Sequence, residues 1–102
     1  VFDMIRRVLP GFMGLHVLHH ASGGEVTGKL MMEELAKHGY KTSPGTIYPL
    51  LHRMEDMGLL KSRSEVRNGR RVRLYRATPR GEKLLREAKE KVRELCMEIL
   101  RE

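Results

Sequence analysis

Cysteine is nearly absent from this chain: a single one, Cys96, excludes an intrachain disulfide and leaves no cysteine-rich zinc framework. Long apolar runs are absent as well. Residues 1–21 are apolar in patches, but Arg6, Arg7, His16, His19 and His20 interrupt them, so the stretch reads as neither a lipid span nor a signal peptide. The expectation is a soluble, cytoplasmic protein with no membrane partner. Acidic residues are in deficit, 13 against 20 lysines and arginines, and the net charge of +7 with a pI near 10.0 points to a polyanionic partner. Enzyme signatures are missing too. There is no glycine-rich phosphate loop, no pair of carboxylates in a cleft-forming context and no Ser/His/Asp set, so neither catalysis nor a cofactor is expected. His16 and His20 would share a helix face and could bind a metal, but no carboxylate or cysteine accompanies them at local spacing, and no metal is expected.

What is present is concentrated in two stretches. The first, T-S-P-G-T-I-Y-P-L-L-H-R-M-E-D-M-G-L-L (42–60), predicts a helix over about 44–57. Ser43 can cap it, Pro44 suits its first position, and Gly58 is placed to stop it. Ile47, Leu50, Leu51 and Met54 form an apolar stripe, while Thr46, Tyr48, Pro49, His52 and Arg53 lie opposite, a face that could dock in a groove of DNA or simply be solvated. Tyr48 has a second reading as a core-edge aromatic, and His52 as a helix-packed or solvated histidine. Pro49 should bend the helix or make it irregular. The second stretch, Lys61–Arg76, carries seven basic residues and one acidic, a net of +6. Asn68-Gly69 at its centre predicts a tight hairpin turn, with Val72 and Leu74 on one sheet face and Arg71, Arg73 and Tyr75 on the other, unless Tyr75 packs on the preceding helix. A hairpin laid along phosphates has a use for such an imbalance.

The flanks are helical. Residues 2–9 and 12–20 predict helices joined or kinked at Pro10-Gly11, followed by a turn at Ala21–Glu25. Phe2, Met4, Ile5, Val8 and Leu9 make the first of them sticky enough to suggest a subunit contact. A further helix is expected from Gly28 to His38, capped by Thr27, with Leu30, Met31, Leu35 and Ala36 on its apolar side. From Thr78-Pro79 to Glu102 a long helix carries Leu85, Ala88, Val92, Leu95 and Ile99 at spacings of 3 and 4, a heptad-like seam best met by a partner helix. Cys96 reads there as a buried small residue. Seven methionines are present, and Met4, Met13, Met31 and Met32 either fill the core or line an adaptable apolar cavity between subunits.

Together these elements describe a mainly α fold with a small β-hairpin (α+β), a winged helix-turn-helix with an N-terminal helix and a long C-terminal dimerisation helix. Residues 1–102 form one domain, about 1–78 carrying the helix-turn-helix and wing and about 79–102 the dimerisation helix. The segments H-G-Y-K-T-S-P-G-T-I-Y-P-L-L-H-R-M-E-D-M-G-L-L (38–60) and G-R-R-V-R-L-Y-R-A-T-P-R-G (69–81) resemble the signature of the PadR-type transcriptional regulators, of the short, single-domain branch. The resemblance implies a homodimer that binds an inverted-repeat operator, usually as a repressor, with positions matching Thr46, Tyr48 and the wing basics facing DNA. Any effector would have to use the dimer cavity. One departure is Lys29, where the family often has an aromatic residue after the glycine that opens the second helix. The expected DNA contacts are Ser43, Thr46 and Tyr48 to phosphate, His52 and Arg53 to base edges, and Arg67, Arg70, Arg71 and Arg73 from the wing. The alternative is a winged-helix protein-interaction module that turns the same basic surface on an acidic protein.

Overall fold

The computed structural model describes residues 2–101, with side chains from Val8 onward. Six elements follow one another: α1 (Phe2–Gly23), α2 (Gly28–Lys37), α3 (Pro44–Asp56), β1 (Leu60–Arg67), β2 (Arg70–Ala77) and α4 (Pro79–Ile99). Among the described residues no helix is long and apolar enough to cross a membrane.

Local chemistry sets most of the boundaries. Thr27 opens α2, its hydroxyl accepting the Leu30 amide at 3.0 Å, and Thr78 opens α4 by accepting the Gly81 amide at 3.0 Å. Two helices end in the same way. Gly39 and Gly58 take φ of +85° and +78°, and the next residue turns its amide back five positions, Tyr40 to Leu35 and Leu59 to Met54. Asn68 and Gly69, both at positive φ, close the hairpin between the paired Arg67 and Arg70. Ser43 does start α3, but its side chain makes no capping bond. Pro44 suits the first helical position because the amide it lacks would have had no partner there.

The core is one cluster drawn from every element, including Val17, Leu18, Met31, Leu35, Ile47, Leu51, Leu60 and Tyr75. Two expectations about α1 need correction. It runs unbroken through Pro10, because one proline deletes a single helix hydrogen bond and Leu9 and Met13 near it are good helix formers. It also absorbs most of the expected Ala21–Glu25 turn, since Ala21 is buried in the core. The side chains of Phe2, Met4 and Ile5, expected in a subunit contact, lie outside the described residues. In α2 only Met31 and Leu35 face the core fully; Leu30 and Ala36 are exposed.

The close approach of α4 to the core has a specific cause. A β-carbon at Gly81 would stand 2.2 Å from the Leu59 carbonyl oxygen and 3.2 Å from Leu18, so only glycine lets this helix start where it does. Thr78 Oγ1 also donates to the Gly58 carbonyl at 2.5 Å, fastening the end of α3 to the start of α4. Beyond Ala88, α4 leaves the body of the molecule. Leu85 is buried, whereas Val92, Leu95 and Ile99 are 41%, 48% and 63% exposed. Cys96, expected to be buried, is exposed in the single chain because none of the described residues packs over this half of the helix.

Between α1 and the emerging α4 lies a groove of about 640 Å³ lined by Phe12, Leu15, His16, Tyr40, Leu85 and Val92 among others. Among the described residues no methionine lines it. Met31 is core, and Met13 and Met32 pack partly buried against the core. His16 stacks on His38 with ring centroids 4.7 Å apart and meets Tyr40 edge-on. Burial pushes the His16 pKa down, and the neighbouring His38, His20 and His19 push it the same way.

Candidate nucleic-acid interface

The exposed face of α3 is built by its own apolar stripe. Once Ile47, Leu50, Leu51 and Met54 are buried, helical periodicity turns Thr46, Pro49 and Arg53 outward in one row and Tyr48 and His52 in a second. All five are exposed, as is Ser43. At the helix start the Thr46 and Ile47 amides are taken by the Ser43 carbonyl. Pro44 has no amide, so Gly45 offers the first N–H without a backbone partner among the described residues. α3 remains one helix across Pro49.

Tyr48 packs as a core-edge aromatic and is exposed as well. Its ring crosses Gly28 at the start of α2, where an added β-carbon would sit 2.6 Å from Cε1, yet the side chain stays 40% exposed. Gly28 thus admits the tyrosine, and α2 holds it at the edge of the α3 surface.

The hairpin has two chemically different faces. Ser62, Ser64 and Val66 of β1 share one with Tyr75, Arg73 and Arg71 of β2. That face turns toward α3, since Glu55 of α3 accepts hydrogen bonds from the Ser62 hydroxyl at 2.7 Å and the Ser62 amide at 3.1 Å. Arg73 donates to the same hydroxyl at 3.0 Å. The opposite face carries Lys61, Arg63, Glu65 and Arg67 with Arg70, Val72, Leu74 and Arg76. There Arg63 forms a bidentate pair with Glu25, both bonds 2.7 Å, and Glu65 lies 3.5 Å from Arg63 and 3.2 Å from Arg67. Arg63 holds the Glu25 carboxyl below its usual range, chiefly by that hydrogen bond, and its own pKa rises in return.

The four wing arginines expected to act together therefore divide. Arg71 and Arg73 share the face beside α3, and Arg71 forms no ion pair among the described residues. Arg67 is tied to Glu65 on the other face, with Arg70 next to the turn. Of the two readings of Tyr75, on the sheet face with Arg71 and Arg73 or packed on the preceding helix, its 1% exposure agrees with packing. The reason is that the base of the hairpin is covered on more than one side: α3 lies over it, and Val26 pairs with the outer edge of β2, exchanging two 2.8 Å hydrogen bonds with Tyr75. Burial raises the Tyr75 pKa, with Arg73 opposing and Glu55 and Tyr48 adding to the rise. Sequence reasoning did not find Glu55, Ser62 or Glu25. The Glu25–Arg63 link joins residues 38 apart, and the Glu55–Ser62 link crosses the turn after α3, so neither leaves a local signature.

Comparison with known proteins matches residues 17–87 to the family described as Transcriptional regulator PadR-like family. The chain is 51% identical over 86 residues to a curated transcriptional regulator of Mycobacterium tuberculosis, covering 84% of this chain and 80% of that protein. Among solved structures it is similar to a PadR family transcriptional regulator from Eggerthella lenta, with a TM-score of 0.79 at 30% identity over 94% of this chain and 85% of the other. The fold also superposes on Bacillus subtilis PadR, solved in complex with operator DNA, with a TM-score of 0.66 at 20% identity over 74% of this chain and 45% of that one.

Proposed function

Because the chain belongs to the PadR-like family of transcriptional regulators, we propose that it is a homodimeric repressor that binds an inverted-repeat operator, with α3 in the major groove and the wing along the flanking backbone. The observation that carries this reading is the α3 surface of Thr46, Tyr48, His52 and Arg53 standing beside the wing face that bears Arg71 and Arg73. Ser43, Thr46 and Tyr48 bond phosphate oxygens near the helix start, where the Gly45 amide adds a donor. Arg53 and His52 reach base edges, arginine on guanine being the commonest specific contact. Arg71 and Arg73 engage the backbone directly, while Arg67 and Arg70 add charge near the wing tip. The fold shared with Bacillus subtilis PadR, solved in complex with operator DNA, supports DNA as the partner.

Dimerisation uses the uncovered apolar faces. Val92, Leu95 and Ile99 of α4, below the buried Leu85, meet their counterparts across a two-fold axis, with the N-terminal half of α1, including Val8, Leu9 and Phe12, beside them. The whole of 1–102 then acts as one winged-helix unit, α4 from residue 79 serving as the dimer helix. Its place is the cytoplasm, with the DNA. Any small-molecule effector would act through the groove between α1 and α4, which a second copy would roof over.

Fluorescence anisotropy tests this with a labelled duplex from just upstream of the protein's own gene and a scrambled duplex, across a salt series. The expected result is binding as a dimer with a preference on the order of a thousandfold for the upstream duplex. Arg71→Ala should flatten the slope of log K against log[salt] by about 0.9. Failure to bind either duplex at low salt, with recovery of acidic proteins instead, would replace this reading with a protein-interaction module. Unchanged slopes for both Arg71→Ala and Arg73→Ala would remove the wing from the interface.

A further inference from the structure

We propose that Glu55 is a positioning residue for the wing: it grips Ser62 and, through the Ser62 hydroxyl, aims Arg73 at the DNA backbone while leaving its charge free. The inference rests on the DNA-binding reading above and assigns a role to two residues that need not touch DNA.

The geometry is a relay. A serine hydroxyl has one proton to give and two lone pairs to offer. Here the proton goes to Glu55 Oε2 at 2.7 Å, and a lone pair receives Arg73 Nη1 at 3.0 Å. The carboxylate polarises the hydroxyl and so makes it a better acceptor for the guanidinium. Glu55 forms no direct ion pair with Arg73 among the described residues. On the opposite face the arrangement differs, because Glu25 and Glu65 contact Arg63 and Arg67 themselves. A carboxylate in direct contact occupies the guanidinium fork that a phosphate would need. A carboxylate one hydroxyl away orients the arginine and leaves the remaining N–H groups available. An arginine already ordered loses less conformational freedom on binding.

The anchoring point of this relay is also where the wing is held. Ser62 pairs with Tyr75 across the hairpin. At that pair the outer edge of β1 gives its Ser62 amide to Glu55 at 3.1 Å, and the outer edge of β2 exchanges two hydrogen bonds with Val26. In an antiparallel ladder, such a pair turns its amides outward and leaves them free for these contacts. The hairpin is thus gripped from both edges at one level. Glu55, on α3 itself, sets the wing relative to the reading helix.

A double-mutant cycle on the full chain tests this, with anisotropy on the upstream duplex and circular dichroism to check that each variant melts near the wild type. Ser62→Ala keeps the Ser62 amide bond to Glu55 and removes only the relay. It should weaken binding about 2- to 10-fold. Arg73→Ala should weaken binding at least as much and flatten the salt slope by about 0.9. The decisive expectation is that Ser62→Ala adds nothing in the Arg73→Ala background, and that Glu55→Gln, also silent there, retains more affinity than Glu55→Ala. Equal losses from Ser62→Ala in both backgrounds, or wild-type affinity for Ser62→Ala alone, would overturn the relay while leaving DNA binding intact. A wild type that binds no duplex would overturn the DNA reading, and the relay with it.

Discussion

The middle of this molecule and its two ends treat apolar side chains in opposite ways. Val17, Leu18, Leu35, Ile47 and Leu51 are buried to 1% exposure or less, with α2 capped by Thr27, α2 and α3 stopped by glycines and the end of α3 pinned to the start of α4. Phe12 on α1 and Val92, Leu95 and Ile99 on α4 are about as regularly spaced, yet they stand between 40% and 63% exposed. The middle is complete within one chain, and the ends are left uncovered by the described residues. The difference separates residues that make the fold from residues that the proposed dimer would cover, although both kinds are apolar side chains on amphipathic helices.

The contrast can be broken from the ends first. Leu95→Glu should leave the middle folded and abolish dimerisation. A charge buried without a partner costs about 2–3 kcal/mol or more in each copy, so the two-fold interface loses on the order of a thousandfold in affinity. Sedimentation equilibrium reads this directly, and an unchanged association constant would show that α4 is not the contact. Gly81→Ala attacks the middle instead. The added methyl meets the Leu59 carbonyl oxygen, a backbone atom that cannot rotate away, and should cost about 3 kcal/mol and lower Tm by roughly 15 °C. A melting temperature within a few degrees of wild type would mean that α4 is not locked to the core there.

The smallest effect lies at the border between the two regions. His16 has a folded pKa below its ordinary value of 6.5, so below that pH the unfolded chain binds more protons than the folded one. Its contribution to stability is therefore present above about pH 6.5 and fades as the pH falls. Denaturation at pH 7.5 and 5.5 should show a loss that His16→Asn reduces, and an equal loss in the variant would assign it to other groups.

Much of the middle was legible because its signals are local. Thr27, Thr78, Gly39, Gly58 and Asn68-Gly69 each act within a few residues, and each ends or starts an element where expected. The unreadable parts depend on what arrives from elsewhere in the chain. Pro10 resembles a break until the surrounding helix outweighs one lost hydrogen bond. Tyr75 alternates like a solvent-facing strand residue, and its burial comes from α3 and from Val26, distant in sequence. The candidate site divides likewise. Thr46, His52 and Arg53 follow from the periodicity of α3, whereas the separation of Arg71 and Arg73 from Arg67 depends on Glu55, Glu25 and Glu65 meeting the hairpin in space. Cys96 was misread because a place on the apolar side of a helix does not say that this chain packs over it.

The Thr78 hydroxyl, shared between the Gly58 carbonyl and the Gly81 amide, gives the molecule a lever. It ties α3 to a 21-residue strut about 30 Å long, so that tilting one tilts the other. In the proposed dimer the two struts would behave as the arms of callipers, and their crossing angle would fix the gap between the tips. A change of about 10° at the hinge would move a tip by about 5 Å, about a third of the rise of half a turn of DNA. Whatever wedges apart or draws together the struts would therefore mistune the gap and release the duplex, without altering one atom of the surface that reads it.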